Sequence, residues 1–379
     1  MSKLRPLEHS LNTSLVDVSF SKKITNFFGD LPLVISLLLI LIFGLFVLYS
    51  ASGQSTAMVI RQSLYITLGL ILMFFFSRIK LKVYEEFSLH FIWIAIGLLV
   101  LVLFFPAEGY KTNRWIDLGF ISFQPSEIVR FILPLAIVSY LTKRKINLSF
   151  IDWSVAFIAT LICAFLVLKQ PDLGTSLIVA MSGFLPLFLA GFPRAYLFTL
   201  AAFITAMSPF IWTSLKEYQR QRIITLFNPD ADPLGAGWNI SQSKTAIGSG
   251  GLSGKGYLEG TQSQLDFIPE SHSDFIFAVI GEEFGFLGII ILLIVYLVIF
   301  ARCLKIALNS KTEFGRLASS CLASIFIIYL LVNILMVVGL IPVVGVPLPL
   351  ISQGGTSILI HLLSFGVILS VRKEDMKSV

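Results

Sequence analysis

The chain has 379 residues, 56% of them apolar and 13% charged, with a mean hydropathy of +0.88. A soluble domain carries about 25% charged residues, so this composition, spread over repeated apolar runs of about 20 residues, excludes a soluble enzyme and points to an all-α polytopic membrane protein. The runs are continuous rather than alternating, which excludes a membrane β-barrel, and the net charge of +6 suits membrane topology better than nucleic-acid binding.

In chain order, residues 1–30 read as a cytoplasmic N-terminal tail, and no small-residue cleavage pattern follows the first apolar run to suggest a signal peptide. Ten transmembrane spans are predicted, at 31–50, 59–77, 89–106, 125–142, 151–168, 175–191, 195–214, 276–301, 317–341 and 357–371. They form a single membrane domain over 31–371, followed by a short cytoplasmic tail at 372–379. Most of the 28 Lys and Arg residues fall on one side of the membrane when both termini are placed in the cytoplasm. That orientation puts the one long polar interval, residues 215–275 between the seventh and eighth spans, outside the cell. The sequence shows no internal repeat of the kind that builds inverted-repeat transporters.

Polar residues collect on the outer side in clusters. The first is Asn113-Arg114-Trp115-Ile116-Asp117, leading into Gln124-Pro125-Ser126-Glu127-Ile128-Val129-Arg130. Pro125 suits a first helical turn, where its missing N–H is not needed, and Glu127 there suits the helix dipole. Glu127 and Arg130 share a helix face, either as a structural ion pair or as part of a polar cavity facing the loop. In the second cluster, Lys169-Gln170-Pro171-Asp172, the aspartate either caps the sixth span or joins the same cavity.

In the long loop, Arg220 and Arg222 flank Gln221. Two neighbouring guanidiniums suit phosphate or pyrophosphate, each presenting a planar fork of donors, or they meet lipid headgroups. The run from Gly248 to Gly256 resembles a phosphate loop but lacks the Ser or Thr that should follow Lys255. Its glycines still allow backbone N–H groups to approach an anionic substrate. The loop ends in Pro269-Glu270-Ser271-His272-Ser273-Asp274-Phe275, where Asp274 is either the cap of the eighth span or a general base poised at the membrane surface, with Glu270 and His272 beside it. Glu282 and Glu283, further along that span, are expected to pair with another span.

The fourth cluster, Pro342 to Thr356, reads as a loop that closes over a cavity. Asn333 and His361 read as core groups bonded to neighbouring helices, and Cys163, Cys303 and Cys321 as small core residues at no metal-like spacing. Any chemistry here would use carboxylates, cations and a hard divalent metal.

The strings QPSEI, KQPDLGTS, YQRQRI, DPLGAGWNISQSKTAIGSGGLSGKG, GTQSQLDFIPESHSDFIFAVIGEEFG and VGVPLPLISQGG resemble those of the SEDS family of peptidoglycan polymerases, over nearly the whole chain beyond the N-terminal tail. GTQSQ and VPLPL are most similar to its elongation branch, the RodA proteins. The resemblance implies a glycosyltransferase of the bacterial inner membrane that polymerises lipid II into a growing glycan strand and releases undecaprenyl pyrophosphate. The family's catalytic aspartate falls on Asp274, and its functional glutamate and basic residue on Glu127 and Arg130, the latter most often Lys in the family. Asp172, Glu270 and His272 are expected to support the site. Arg114, Arg220, Arg222, Lys255 and Gln262 are candidates for substrate and pyrophosphate binding, together with a Mg²⁺ or Mn²⁺ ion for which Asp274 or Glu270 is a candidate ligand. The implied partner is a class B penicillin-binding protein. Ser271 and Ser273 stand where RodA proteins commonly read PERHTDF, and Gln353 where Tyr is frequent. The alternatives are a lipid II flippase and a membrane scaffold for wall-building proteins.

Overall fold

The computed structural model describes residues 29–105, 114–117, 122–144, 148–228 and 235–377. Residues 1–28 of the expected N-terminal tail, Asn113 and the last two residues lie outside them. Helices occupy all ten positions expected to span the membrane: α1 Leu31–Ala51, α2 Thr56–Phe76, α3 Leu81–Phe104, α4 Pro125–Arg144, α5 Phe150–Lys169, α6 Leu173–Leu189, α7 Arg194–Ser214, α11 Ile276–Leu308, α12 Glu313–Val337 and α13 Gly355–Lys377. Eight are long and apolar enough to cross a bilayer, whereas α6, with 17 residues, is shorter.

Their starts follow from local chemistry. Asp30 and Ser55 accept the free N–H groups of α1 and α2, Ser149 and Asp152 close a reciprocal capping box on α5, and Thr312 caps α12. The largest departures from the hydropathy reading are at three helix ends, one of them α11, which runs to Leu308 rather than 301. Helix α3 begins at Leu81 rather than 89 because the amphipathic turn Leu81–Ser88 continues the helix below the apolar run. Helix α13 runs past 371 to Lys377 because its last turns are held: Lys373 Nζ donates to Ser77 Oγ at 2.8 Å, and Glu374 Oε2 accepts the Leu81 N–H at 2.8 Å.

The main core lies among α1, α11, α12 and α13 and extends onto α2 and α4; a second cluster joins α3, α4, α5 and α6. The long interval is itself folded, with α8 Glu217–Phe227, α9 Ala236–Ser249 and the single turn α10 Thr261–Gln264. Helix α9 docks on the bundle through Ser243 Oγ, which donates to the Val337 carbonyl at 2.8 Å. The Tyr257 ring stacks on Phe46 of α1 with centroids 3.8 Å apart. A two-residue hairpin, β1 Ile116–Asp117 with β2 Ser122–Phe123, leads into α4.

Helix α11 is broken at Gly285, whose φ of 65° and ψ of −164° lie outside the helical region. The break frees backbone groups that the glycine-rich stretch satisfies. Lys255 and Gly256 donate their N–H groups to the Glu282 and Glu283 carbonyls at 3.0 and 3.1 Å, and Phe286 and Leu287 donate to Gly251 and Leu252 at 2.9 and 3.0 Å. A Cβ at Gly254 would lie 2.1 Å from the Glu283 carbonyl oxygen, so this packing requires glycine. The N–H groups expected to approach an anionic substrate at Lys255 and Gly256 are therefore spent on the broken helix.

Candidate active site

The segment Glu270–Phe275 is a tight turn that delivers Asp274 to the start of α11. Glu270 takes a left-handed φ of 55°, and its carbonyl accepts the Ser273 and Phe275 N–H groups at 3.0 and 3.3 Å. Ser271 Oγ ties the turn to α1 at the Ala51 carbonyl, 2.9 Å. The next three carbonyls are each held from outside: His272 by the Gln353 N–H at 2.9 Å, Ser273 by Ser352 Oγ, and Asp274 by Asn333 Nδ2 at 2.8 Å. Asn333 also donates to the Val346 carbonyl at 2.7 Å, so it joins two loop segments rather than two helices. The 342–356 loop thus closes over Asp274, as its sequence suggested. Gly345 takes a φ of 74°, and a Cβ there would lie 3.3 Å from Asp274 Oδ2.

Against this fixed backbone the half-buried Asp274 carboxylate is given no hydrogen-bond donor by the described residues. Phe275 stands at the cap position of α11, and no side chain caps that helix, so the capping reading of Asp274 falls away. Burial, then the Glu270 charge and more weakly that of Asp172, raise its carboxyl from 3.8 to about 6, with Arg222 opposing them. Glu270 itself is exposed, accepts a bond from Ser273 Oγ at 2.8 Å and lies 3.9 Å from His272 Nε2.

The other expected residues divide into those gathered near Asp274 and those engaged elsewhere. Asp172 caps α6 through the Thr175 N–H at 3.1 Å and also pairs with Arg114 at 3.1 Å. Arg114 further donates to the Gln170 and Pro171 carbonyls, so it fastens the α5–α6 turn. Glu127 and Arg130 form an enclosed ion pair. The guanidinium lies over the Tyr329 ring, 4.1 Å to its centroid, and donates to Ser357 Oγ at 3.1 Å. Asp172 and Arg222 act on Asp274 through their charges, and Asp172 acts likewise on Glu127.

Arg220 donates to the Trp212 and Thr213 carbonyls at the end of α7. Lys255 Nζ is bound to Glu282 and Thr261, each at 2.7 Å. Gln262 contributes its backbone N–H to Glu282 at 2.9 Å. Glu282 therefore caps α10 instead of pairing with another span, whereas Glu283 does reach one, accepting from Ser50 of α1. His361 packs edge-on against Phe326 and Tyr329 in the core.

Two features near the site escaped the sequence reading. Arg61 and Gln62, with Trp115 and Gln353, line a polar pocket of about 300 Å³ beside the 342–356 loop. Arg61 lies inside an apolar run, and only its partners in space give it meaning. An apolar groove of about 500 Å³ between α2, α3, α4 and α13 reaches Gln124 and Glu127. As for a metal, no three His, Cys, Asp or Glu side chains converge into a closed cage among the described residues. Asp274 and Glu270, neighbouring carboxylates that repel one another, suit a hard ion shared with phosphate oxygens.

The family model described as FTSW_RODA_SPOVE, cell cycle protein, matches residues 30–377. The chain is 44% identical over 354 residues to the peptidoglycan glycosyltransferase MrdB of Escherichia coli K12, covering 92% of this chain and 96% of that one. It is 35% identical over 358 residues to the stage V sporulation protein E of Bacillus subtilis, covering 91% and 97%. Among solved structures, a chain from work on the structural coordination of polymerization and crosslinking by a peptidoglycan synthase complex superposes with a TM-score of 0.81 at 31% identity, covering 91% of this chain and 98% of that one. The rod shape determining protein RodA of Thermus thermophilus superposes with a TM-score of 0.69 at 28% identity, covering 91% and 97%. The chain belongs to the SEDS family, the family of FtsW, RodA and SpoVE.

Proposed function

We propose that this membrane protein is a peptidoglycan glycosyltransferase that polymerises lipid II into β-1,4 glycan strands during wall elongation, with Asp274 as its general base. The observation that carries the mechanism is a half-buried, backbone-clamped carboxylate whose pKa is raised to about 6; a base works best with a pKa near the working pH. Asp274 takes the proton of the acceptor GlcNAc 4-hydroxyl as that oxygen attacks the anomeric carbon of the donor MurNAc. The bond from that carbon to the pyrophosphate breaks with inversion, and the electron pair leaves on undecaprenyl pyrophosphate. Arg222, the cation whose field already reaches Asp274, stabilises the leaving group. The apolar groove that ends at Gln124 and Glu127 suits the polyprenyl tail. A Mg²⁺ or Mn²⁺ ion with Glu270 as a ligand would neutralise pyrophosphate charge and leave Asp274 free to act as the base.

Identity to MrdB, at 44%, exceeds that to an FtsW relative, at 34%, which supports the elongation role. The likeness to a peptidoglycan synthase complex supports a class B penicillin-binding protein as partner. The basic loops support cytoplasmic termini and an extracytoplasmic site. The test is polymerisation of labelled lipid II by the purified protein with that partner, with and without EDTA, beside Asp274→Ala. Strands from wild type alone support the proposal. Strands from a folded Asp274→Ala protein would remove the base assignment, and lipid II crossing a proteoliposome bilayer with no strands formed would favour a flippase.

A further inference from the structure

The end of the bundle opposite the long loop carries a cleft of about 500 Å³ between the α2–α3 turn and the last turns of α13, lined by Ser77, Arg78, Lys80, Ser370, Lys373 and Glu374. Three of these are cations. The one carboxylate, Glu374, is committed to the Leu81 N–H at the start of α3. Lys373 is buried, 8% exposed, with its Nζ 2.8 Å from Ser77 Oγ. Its ammonium and the Arg78 guanidinium both lie over the Phe74 ring, 5.5 and 4.6 Å from the centroid. Phe74 and its neighbour Phe75 are 37% and 61% exposed on the outside of α2, where that span faces lipid. The cleft therefore joins a basic chamber to an apolar wall running into the bilayer. A small soluble anion would use only the chamber. An amphiphile with a phosphate and acyl chains would use both, and basic pockets between helices at the cytoplasmic surface are suited to anionic headgroups.

We infer that this cleft binds an anionic phospholipid of the leaflet opposite the long loop, with its phosphate among Arg78, Lys80 and Lys373 and its acyl chains along Phe74 and Phe75. Such binding needs only the membrane placement of the chain and not its glycosyltransferase activity, so the two can fail separately. The full chain, purified in detergent, is titrated with phosphatidylglycerol, phosphatidylcholine or inorganic phosphate. Thermal melting and native mass spectrometry are the readouts. Phosphatidylglycerol should raise the melting midpoint and remain bound where phosphatidylcholine does not. The double variant Arg78→Gln with Lys80→Gln, both at exposed positions, should bind phosphatidylglycerol roughly 30-fold more weakly, as expected for losing two cations at a membrane surface, while melting like wild type without lipid. Equal binding of phosphatidylcholine, or unchanged binding by the variant, would overturn the inference. A shift reproduced by inorganic phosphate alone would assign the chamber to a soluble anion and overturn it as well.

Discussion

Asp274 and Glu282 stand on either side of the start of α11, yet the fold treats their carboxylates oppositely. Glu282 accepts the Gln262 and Ser263 N–H groups at 2.9 and 3.1 Å and the Lys255 ammonium at 2.7 Å. The Asp274 carboxylate accepts no hydrogen bond from the described residues and faces two like charges. The contrast separates two uses of an acid near a membrane. Glu282 gives its charge to ordering the loop. Asp274 has its backbone ordered by others and its charge held in reserve, the arrangement that catalysis by a base requires.

Breaking Asp274 should have the largest effect on activity. Asp274→Ala should lower polymerisation of labelled lipid II by about 10²–10⁴-fold without lowering the melting midpoint. The next largest effect should be on folding. Gly285→Val places a β-branched residue at a glycine-only conformation, where a Cβ would lie 2.2 Å from the Gly254 nitrogen. A cost above about 3 kcal/mol follows, read as lost monodisperse protein in size-exclusion chromatography.

Lys255→Met sharpens the comparison from the other side. It leaves the Glu282 charge with only neutral donors, at a cost of about 2 kcal/mol after allowing for the partial exposure of Lys255. Melting should drop while the pH midpoint of activity stays fixed; a shifted midpoint would place Lys255 in the reacting site. The pH profile itself follows from the raised Asp274 carboxyl. The base must be ionised, so kcat/KM should fall as pH drops through about 6. Between the ordinary 3.8 and about 6 the folded chain keeps a proton the unfolded chain has lost, so this group removes stability as pH rises across that window. The smallest expected effect is therefore a gain: Asp274→Asn should melt a few degrees higher than wild type at pH 7 and little differently at pH 4.

The ten helices were legible because hydropathy reports membrane contact directly, and Asp274, Glu127 and Asp172 because polar groups at span ends are costly enough to stand out. The break at Gly285 was not legible. One glycine in an apolar run carries no signal, and its meaning comes from Gly254, far off in sequence but in contact with it. Lys255 and Arg220 read as free cations because their partners, Glu282 and the α7 carbonyls, are set by folding. Composition also made the 215–275 interval look like open loop, although α8, α9 and α10 lie within it.

The loop that Ser352, Gln353 and Asn333 fasten over Asp274 has a further consequence. A base that can deprotonate a sugar hydroxyl can also deprotonate water, and water outnumbers any acceptor strand. With the same carboxylate and the same donor, an open site would cleave lipid II to a free sugar and waste an activated building block. On the proposed mechanism, the choice between synthesis and hydrolysis would rest on the loop above Asp274, because it would decide which nucleophile arrives first.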